Sequence, residues 1–431
     1  MSVALRVGIV ILKWLLRLAI PREVCVRICS MSGKLRSIFL LLCAVVVGFV
    51  GWRSYLYFFD AGKPTFSIEG LQEGGCYAGD VRCTIHGSDR YKVAALSLWL
   101  DGKSLVHRHR IAKRLFDHTF ELPAHTLADG QHKLRVELYD GTYHGHVSQK
   151  TYEFFTDNKP LQASFVSQTD ARVFQGKTLH LQFQVNKPIK TAVVSAFSQE
   201  YPCFPEARNS RVYESFIPIL CEEQPNEYLL GVGIEDGVGN TIRLESKFQV
   251  VAFPFKKSHI TLNKDKVEHE HKVGISQQRF EQLMVQISQD SPHKKLWRGR
   301  FFAPVTIRAI TTPFGQIRTS QHKGLYAHKA VDVVDAPRGV VWAPQDGIVV
   351  IKDRFVQTGN TIVIDHGWGV TSMLCHLEEF ADINVGDPIK RGNPVGTLGK
   401  TGYATGYHLH WECRINNTPI DPIEWTKASF W

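Results

Sequence analysis

The chain has 431 residues, of which 44% are hydrophobic and 21% charged, and its formal net charge is +10. This length suits three folded domains outside a membrane, each large enough for its own core. A net positive charge is common in nucleic-acid-binding proteins. Here the basic residues are dispersed and no nucleic-acid motif is present, so we exclude nucleic-acid binding.

Residues 1–62 predict a basic segment followed by a membrane anchor. Residues 1–36 hold seven Lys or Arg and one acid, whereas residues 37–52 carry no charge. At ~1.5 Å per residue, this uncharged core is shorter than the ~30 Å hydrocarbon layer. Extension to Phe59, with Arg53 snorkelling, gives a transmembrane helix over about 37–59. The positive-inside rule places the N-terminus in the cytoplasm and all that follows residue 60 outside.

Two alternatives about this N-terminus stay open. A cleaved signal peptide competes with an uncleaved anchor; the absence of a small-x-small site near Trp52 favours the anchor. Arg6, Lys13 and Arg17 share one helical face, which predicts a basic amphipathic helix on the inner membrane surface. A true start at Met31 would instead leave a signal anchor of ordinary length.

Residues 63–253 contain an internal repeat that predicts two tandem β-sandwich modules. Residues 132–141 match residues 228–237 at an offset of 96. The matched pairs are Leu134/Leu230, Val136/Val232, Asp140/Asp236, Gly141/Gly237 and Tyr152/Phe248. Short alternating strands between Gly, Asn and Asp turns are typical of β-sandwiches. We place the first module at 63–157 and the second at 158–253, and both weakly resemble bacterial immunoglobulin-like modules.

The cysteines predict an oxidising location. Cys76 and Cys83 bracket a short loop in the first module, and Cys203 and Cys221 bracket one in the second. Two local disulfides follow from this spacing, with buried free thiols as the alternative.

Residues 254–300 are predicted to be a linker that contains one amphipathic helix. Lysine-rich charge dominates residues 256–272, and apolar residues then follow at helical spacing. These residues are Phe280, Leu283, Met284 and Ile287, which place the helix at 276–289. It packs on a neighbouring domain or shields a cleft, and packing is the simpler expectation.

The last third of the chain holds the residues that predict chemistry. His408 and His410 are two apart, so both would project from the same face of a strand. His328 and Asp332 are four apart, which keeps them on a common side of an extended segment. Two imidazoles, a carboxylate and a further His suit a catalytic zinc ion, which takes three protein ligands and keeps one position open for water.

The surrounding motifs strengthen this prediction. Short β-branched runs alternate with glycine turns, a pattern typical of a compact antiparallel β fold. Residues 328–332 read H-K-A-V-D, residues 359–367 read G-N-T-I-V-I-D-H-G, and residues 399–410 read G-K-T-G-Y-A-T-G-Y-H-L-H. Together with His376-Leu377, they resemble the motifs of the lysostaphin-type (LytM-like) zinc metallopeptidases. Those enzymes cut peptide bonds in bacterial peptidoglycan, and the resemblance covers residues 301–431.

The resemblance implies a role for each matched residue. His328, Asp332 and His410 match the zinc ligands, one ion per peptidase domain. His376 and His408 match the two catalytic histidines that do not bind zinc; one would act as general base and one would stabilise the oxyanion. The sequence does not assign these two roles between them.

Four neighbouring residues bear on this set. Ala330 replaces the glycine of the family motif H-x-G-x-D, and Leu374 replaces a tyrosine, which puts in doubt a backbone fit and a substrate contact. His366 is expected to be structural. Glu412 lies on the strand face of His410, where it either orients that ligand or is simply solvated.

We therefore expect a mainly β protein that is anchored in the bacterial inner membrane with its catalytic domain outside. It would be a zinc endopeptidase acting on the stem peptide or cross-bridge of peptidoglycan. The alternative is a catalytically silent relative that recruits or activates another wall hydrolase. The β modules would serve as spacers or as docking surfaces for cell-wall or divisome-type proteins.

Overall fold

The computed structural model describes residues 32–166, 170–206, 209–259, 278–320 and 324–427. The predicted helix around residues 6–17 and the alternative start at Met31 lie outside these ranges. Strands dominate the described residues, so the mainly β prediction is confirmed.

The first element is a long apolar helix, α1, at Gly33–Phe59. It is long and apolar enough to cross a membrane, and it is the one such helix among the described residues. Most of its large apolar side chains are exposed, including Leu41 and Phe49. Its length and composition agree with the anchor predicted near 37–59.

The first module consists of six strands that belong to one hydrogen-bonded sheet. The strands are β1 Thr65–Glu69, β2 Cys76–Tyr77, β3 Val81–Leu100, β4 Lys103–Leu122, β5 Gly130–Asp140 and β6 Val147–Thr156. Their order is β1-β3-β5-β6-β2, and β4 also pairs with β3. The β3–β4 ladder breaks between Ser88 and Val93, and the halves on either side of the break contribute to one apolar core. One bent sheet thus encloses this core, which differs from the predicted pair of separate sheets.

The second module does contain two sheets. Its strands are β7 Ala163–Phe165, β8 Asp170–Phe174, β9 Thr178–Val185, β10 Ile189–Ala196, β11 Gln199–Pro202, β12 Phe204–Pro205, β13 Val212–Pro218, β14 Glu227–Asp236 and β15 Thr241–Val251. One sheet has the order β11-β10-β14-β15-β8 and the other β12-β13-β9-β7. Apolar residues of both sheets form one core.

The sequence repeat corresponds to a repeated hairpin. β5 and β6 form the hairpin in the first module, and β14 and β15 form it in the second. Each hairpin turn follows a buried aspartate: the Thr142 N–H donates to Asp140, and the Val238 N–H donates to Asp236. The repeated Asp-Gly pair therefore marks two equivalent turns.

The C-terminal region is built on a ten-stranded sheet. A separate short sheet consists of β16 Lys257–His259, β18 Ile317–Ser320 and β19 Gly324–Ala327. The large sheet comprises β17 Ala309–Thr312, β20 Val331–Val334, β21 Val340–Trp342, β22 Gly347–Phe355, β23 Gly359–Asp365, β24 Val370–Phe380, β25 Pro388–Ile389, β26 Pro394–Leu398, β27 Leu409–Ile415 and β28 Thr418–Ile420. The main path runs β17-β20-β27-β24-β23-β22-β25, so β27 lies between β20 and β24.

Two helices pack against this region: α2 at 278–290 and α3 at Pro422–Lys427. Phe280, Met284 and Ile287 of α2 are buried in a cluster that also contains Met373 and Cys375 of β24. Leu283 is 40% exposed, although the sequence pattern placed it on the apolar face. The helix therefore packs on the sheet, as expected of the linker segment.

Residues 160–431 form one compact unit, separate from residues 1–159. A cluster of aromatic rings joins the second module to the C-terminal sheet, and Phe204 stacks on Trp368 with ring centroids 4.3 Å apart. The indole N–H of Trp425 donates to the Thr178 hydroxyl over 3.0 Å. The second module therefore has, besides its own core, a second apolar cluster in common with the region that follows it.

The predicted disulfides do not form. Cys83, Cys203 and Cys221 are free thiols. Cys83 lies fully buried in the first core, and its thiol donates to the Val81 carbonyl over 3.7 Å. The Cys221 thiol contacts the Lys329 ammonium at 3.1 Å instead of a second sulfur. The two cysteines of each predicted pair are close in sequence, but the fold places Cys83 in an apolar core and Cys221 beside Lys329.

Candidate active site

Two neighbouring strands place the first two predicted ligands opposite each other. Asp332 on β20 and His410 on β27 are direct partners in the antiparallel ladder. The Nδ1 atom of His410 lies 3.0 Å from the Oδ1 atom of Asp332. Because side chains alternate along a strand, the two project from the same face of the sheet.

The third predicted ligand, His328, reaches the same point from the connection between β19 and β20. Its backbone is fixed on both sides, since its N–H donates to Gln316 and its carbonyl accepts from Gly315. Its Nε2 atom lies 3.2 Å from Oδ1 of Asp332. Its Nδ1 atom is buried without a hydrogen-bond partner.

These three side chains form a compact donor set. One ligand atom from each of His328, Asp332 and His410 lies within 4.8 Å of the others. His328 and Asp332 are each 7% exposed, so both are largely withdrawn from water. Among the residues described, this is the one group of three or more such side chains that has metal-binding spacing.

The charges within the cluster are strongly coupled. Burial raises the pKa of Asp332, but hydrogen bonds from His328 and His410 outweigh it and hold that pKa far below its ordinary value. Burial lowers the pKa of His328 against the opposing effect of Asp332. For His410, burial is outweighed by Asp332 and Glu412, which raise its pKa to about 9. The aspartate is thus a permanent anion at the centre of the cluster.

His376 and His408 lie beside the cluster. Their ring centroids are 4.8 Å apart, and the His376 ring lies 5.8 Å from that of His410. The Nδ1–H of His376 donates to the Thr401 carbonyl over 2.8 Å, and that of His408 donates to the Gly406 carbonyl over 2.9 Å. A carbonyl can only accept, so in each neutral ring Nε2 is the basic nitrogen.

The environment of His376 favours the neutral imidazole. Burial, followed by the nearby rings of His410 and His408, lowers the pKa of His376 to about 4. Its backbone adopts φ of 62°, a left-handed conformation that residues with a Cβ rarely take. Such strain is found at functional positions, where the surrounding structure holds a side chain in place.

The structure brings together all five residues that the sequence singled out. β27 begins at Leu409, so His408 lies just before the strand. Its Nε2 atom is nevertheless 3.9 Å from Oδ1 of Asp332. The His408 N–H donates to the Gly399 carbonyl, which fixes the loop before the strand.

His366 and Leu374 lie apart from this group. His366 is fully buried, and its two nitrogens bond to the Asp346 carbonyl and the Ser372 hydroxyl. That environment agrees with the structural role expected for it. Leu374 is also fully buried, in the apolar core of the sheet, so it does not line the cluster.

Some supporting residues gave no clear signal in the sequence. Arg318 on β18 places a guanidinium nitrogen 3.5 Å from Oδ2 of Asp332. Glu412, whose role was left open, is buried with Oε2 3.8 Å from Nε2 of His410. Arg414 bonds Glu412 and also Glu281 of α2. The linker helix is thereby connected to a candidate ligand through two carboxylates and an arginine, a chain of contacts that only the folded structure reveals.

Comparison with known proteins places this site in a family. The model of Peptidase family M23 matches residues 326–422. The chain is 35% identical over 124 residues to the DD-carboxypeptidase/endopeptidase Mpg of Neisseria meningitidis serogroup B, a match that covers 28% of this chain and 27% of that protein. It is 33% identical over 122 residues to the peptidoglycan DD-endopeptidase ShyC of Vibrio cholerae, over 28% of each chain.

A solved structure of a putative peptidase M23 from Pseudomonas aeruginosa aligns with a TM-score of 0.43 and 20% identity, over 61% of this chain and 96% of that one. The chain spans little more than a quarter of the length of the curated relatives named above. The family predicted from the motifs is confirmed for the C-terminal region, and the immunoglobulin-like resemblance of the modules stays a prediction.

Proposed function

Because the chain carries a domain of Peptidase family M23 at residues 326–422, we propose that it is a zinc-dependent endopeptidase that hydrolyses peptide bonds in bacterial peptidoglycan. The observation that supports this most is the meeting of His328, Asp332 and His410 beside two further histidines. The similarity to a peptidoglycan DD-endopeptidase supports the choice of substrate.

The donor set suits zinc. Two imidazoles and one carboxylate are a common set of protein ligands for catalytic zinc. Nε2 of His328 and Nδ1 of His410 lie 3.2 and 3.0 Å from the same oxygen of Asp332, so these atoms would hold the ion. Zinc held by His328, Asp332 and His410 would supply Lewis acidity, polarising the scissile carbonyl and acidifying water.

The neighbouring histidines supply proton transfer and charge stabilisation. Nε2 of His376 is the basic nitrogen of a ring whose low pKa keeps it neutral above about pH 4, so we assign it the role of taking a proton from water. His408 is held by Gly406 and lies close enough to present its ring to the developing oxyanion. Thr401 and Gly406 fix both rings, so less reorganisation is needed during reaction.

We place this activity outside the inner membrane of a bacterium, with α1 as the anchor. The basic residues before the helix favour an N-terminus in the cytoplasm. Peptidoglycan peptides would then be accessible to residues beyond 60. The two β modules remain candidates for contacts with cell-wall or division proteins.

The test is digestion of purified sacculi by the full chain in detergent, followed by mass spectrometry of the soluble products. We expect peptides cut within the stem or cross-bridge, loss of cutting after chelation, and recovery when zinc is restored. A folded, zinc-loaded chain that releases nothing would contradict the proposal and favour the silent regulator. Release that persists after complete zinc removal would contradict the assigned metal chemistry.

A further inference from the structure

The end of α1 is joined to the first module by specific contacts. The guanidinium of Arg53 donates to the Tyr91 carbonyl over 3.0 Å and lies 4.2 Å from the centroid of the Tyr91 ring. The N–H of Tyr143 donates to the carbonyl of Tyr57 over 2.9 Å. Leu56 is 6% exposed, in contrast with the apolar residues earlier in the helix. The last two turns of the helix therefore form part of the module.

The length of the helix determines how deep these contacts lie. The uncharged stretch from Ser37 to Trp52 spans only ~24 Å at ~1.5 Å per residue, whereas the hydrocarbon layer is ~30 Å thick. A spanning helix must therefore extend about four residues further, to Leu56, next to Tyr57. Tyr91 and Tyr143, which contact Arg53 and Tyr57, would then lie at the boundary between lipid and water.

The ladder pairs show which other residues share this end of the module. Ser88 pairs with Thr65 at the start of β1 and with Leu115 on β4. Val93 pairs with Asp140 at the end of β5. The bend of β3, the middle of β4 and the β5–β6 turn therefore meet near the helix end. We name residues 88–93, 113–115 and 141–146 the membrane-proximal tip.

The exposed surface of this tip is apolar and basic. Leu115 is 75% exposed and Tyr143 is 68% exposed. Arg90, Lys113 and Arg114 are exposed as well. Aromatic side chains are enriched at membrane–water interfaces, and basic side chains are attracted to anionic headgroups.

Asp89 within the tip and Asp140 beside it are held by hydrogen bonds, whereas the exposed Asp117, two residues beyond Leu115, pairs with His86. Oδ1 of Asp89 accepts the N–H groups of Tyr91 and Lys92, each over 2.8 Å. Asp140 is buried and bonds the Thr142 hydroxyl and the His146 ring. The outward charge of the tip is therefore positive, which complements an anionic membrane surface.

We propose that the membrane-proximal tip is a lipid-binding surface that sits in the headgroup layer of the membrane crossed by α1 and prefers anionic phospholipid. This inference rests on the proposed anchoring by α1. It gives the first module a fixed orientation on the membrane and makes it more than a spacer. At the membrane boundary, the Arg53 guanidinium would be stabilised by the ring and the carbonyl of Tyr91.

The test is photo-crosslinking to lipid in the full chain, reconstituted in vesicles of equal parts phosphatidylglycerol and phosphatidylcholine. The variant Leu115→p-benzoylphenylalanine probes the tip. A matched variant at Phe155, which is 41% exposed and pairs with Gln131 near the start of β5, probes the other end of the module. Asp140 lies nine residues after Gln131 along the strand, a distance of ~30 Å. We expect lipid adducts at position 115 and few at position 155.

A second pair of variants tests the preference for anionic lipid. Lys113→Gln and Arg114→Gln should each lower the yield of lipid adducts at position 115 about five-fold in vesicles that contain phosphatidylglycerol. In vesicles of phosphatidylcholine alone, the same changes should have little effect. Equal losses in both vesicle types would contradict the electrostatic part of the inference.

A probe within the helix separates this inference from the anchoring on which it rests. The variant Val45→p-benzoylphenylalanine must crosslink lipid if α1 spans the bilayer. Lipid adducts at position 45 but not at position 115 would contradict lipid binding by the membrane-proximal tip and would leave the anchoring by α1 supported. An absence of adducts at 45 would overturn the anchor, and the inference with it, whereas the proposed peptidase activity would be unaffected.

Discussion

The two β modules carry the same repeated hairpin, but one charged pair in each lies in a different environment. In the first module, Lys133 and Glu153 pair on an exposed surface. In the second, Glu214 is fully buried and pairs with Lys295, which is only 8% exposed. Exposed pairs contribute little to stability, whereas breaking a buried pair is costly. Each module has its own core, and the second also depends on a buried contact with residues that follow it.

The largest expected effect distinguishes a histidine of the candidate active site from a histidine of the first module. His328→Ala should abolish both zinc binding and peptidase activity, because it removes one of three candidate ligands. His86→Ala is the matched control: His86 lies between Asp117 and Glu69 on the surface of the first module. Zinc content by elemental analysis and digestion of sacculi would be measured on both variants. Full zinc content in His328→Ala would contradict the assignment of His328 as a zinc ligand.

The next effect separates catalysis from metal binding. His376→Ala should reduce kcat by about 10²–10⁴, the usual contribution of a general base. Zinc content should stay at the wild-type level, since His376 is not a candidate ligand. His118→Ala, which changes a histidine of the first module, should leave kcat unaltered. If His376→Ala stayed active, His408 would be assigned as the general base instead.

The third effect tests the buried pair itself. Lys295→Met should lower the free energy of unfolding of residues 160–431 by about 3–5 kcal/mol, because it leaves the Glu214 carboxylate buried beside His180 alone. The midpoint of urea denaturation would be the measurement. Lys133→Met in the first module should leave its midpoint unchanged. Equal effects of the two substitutions would remove the contrast between the modules.

The smallest effect is a pH dependence of that same region. Burial raises the pKa of Glu214, but His180 and Lys295 outweigh it and hold that pKa below its ordinary value. A carboxyl with a depressed pKa stabilises the fold above its unfolded pKa of ~4.3, and this stability is lost as the pH falls through the folded value. Urea midpoints measured from neutral pH downward should therefore decline below about pH 5. A midpoint that is constant into acid would contradict the assigned pairing.

The site was predictable from the sequence because its residues lie within short motifs. His408 and His410, and likewise His328 and Asp332, are close in the chain and belong to patterns that few other families share. The linker helix was predictable for a similar reason, since Phe280, Met284 and Ile287 repeat at helical spacing and are buried.

The remaining features depend on contacts between distant residues. The stacking of Phe204 on Trp368 and the bond between Thr178 and Trp425 join segments more than 160 residues apart, and no local spacing marks such pairs. The disulfide prediction was wrong for the same reason. Cys221 lies close to Cys203 in sequence, but the fold brings its sulfur to Lys329.

The most direct test of the central claim uses a purified cross-linked muropeptide dimer and the zinc-loaded full chain. We predict that the wild-type protein converts the dimer to products that have gained one water at a peptide bond. We also predict that zinc-loaded His376→Ala leaves the dimer intact on the same time scale. A dimer that stays uncut by the folded, zinc-loaded wild-type protein would contradict the assignment of this site as a peptidase.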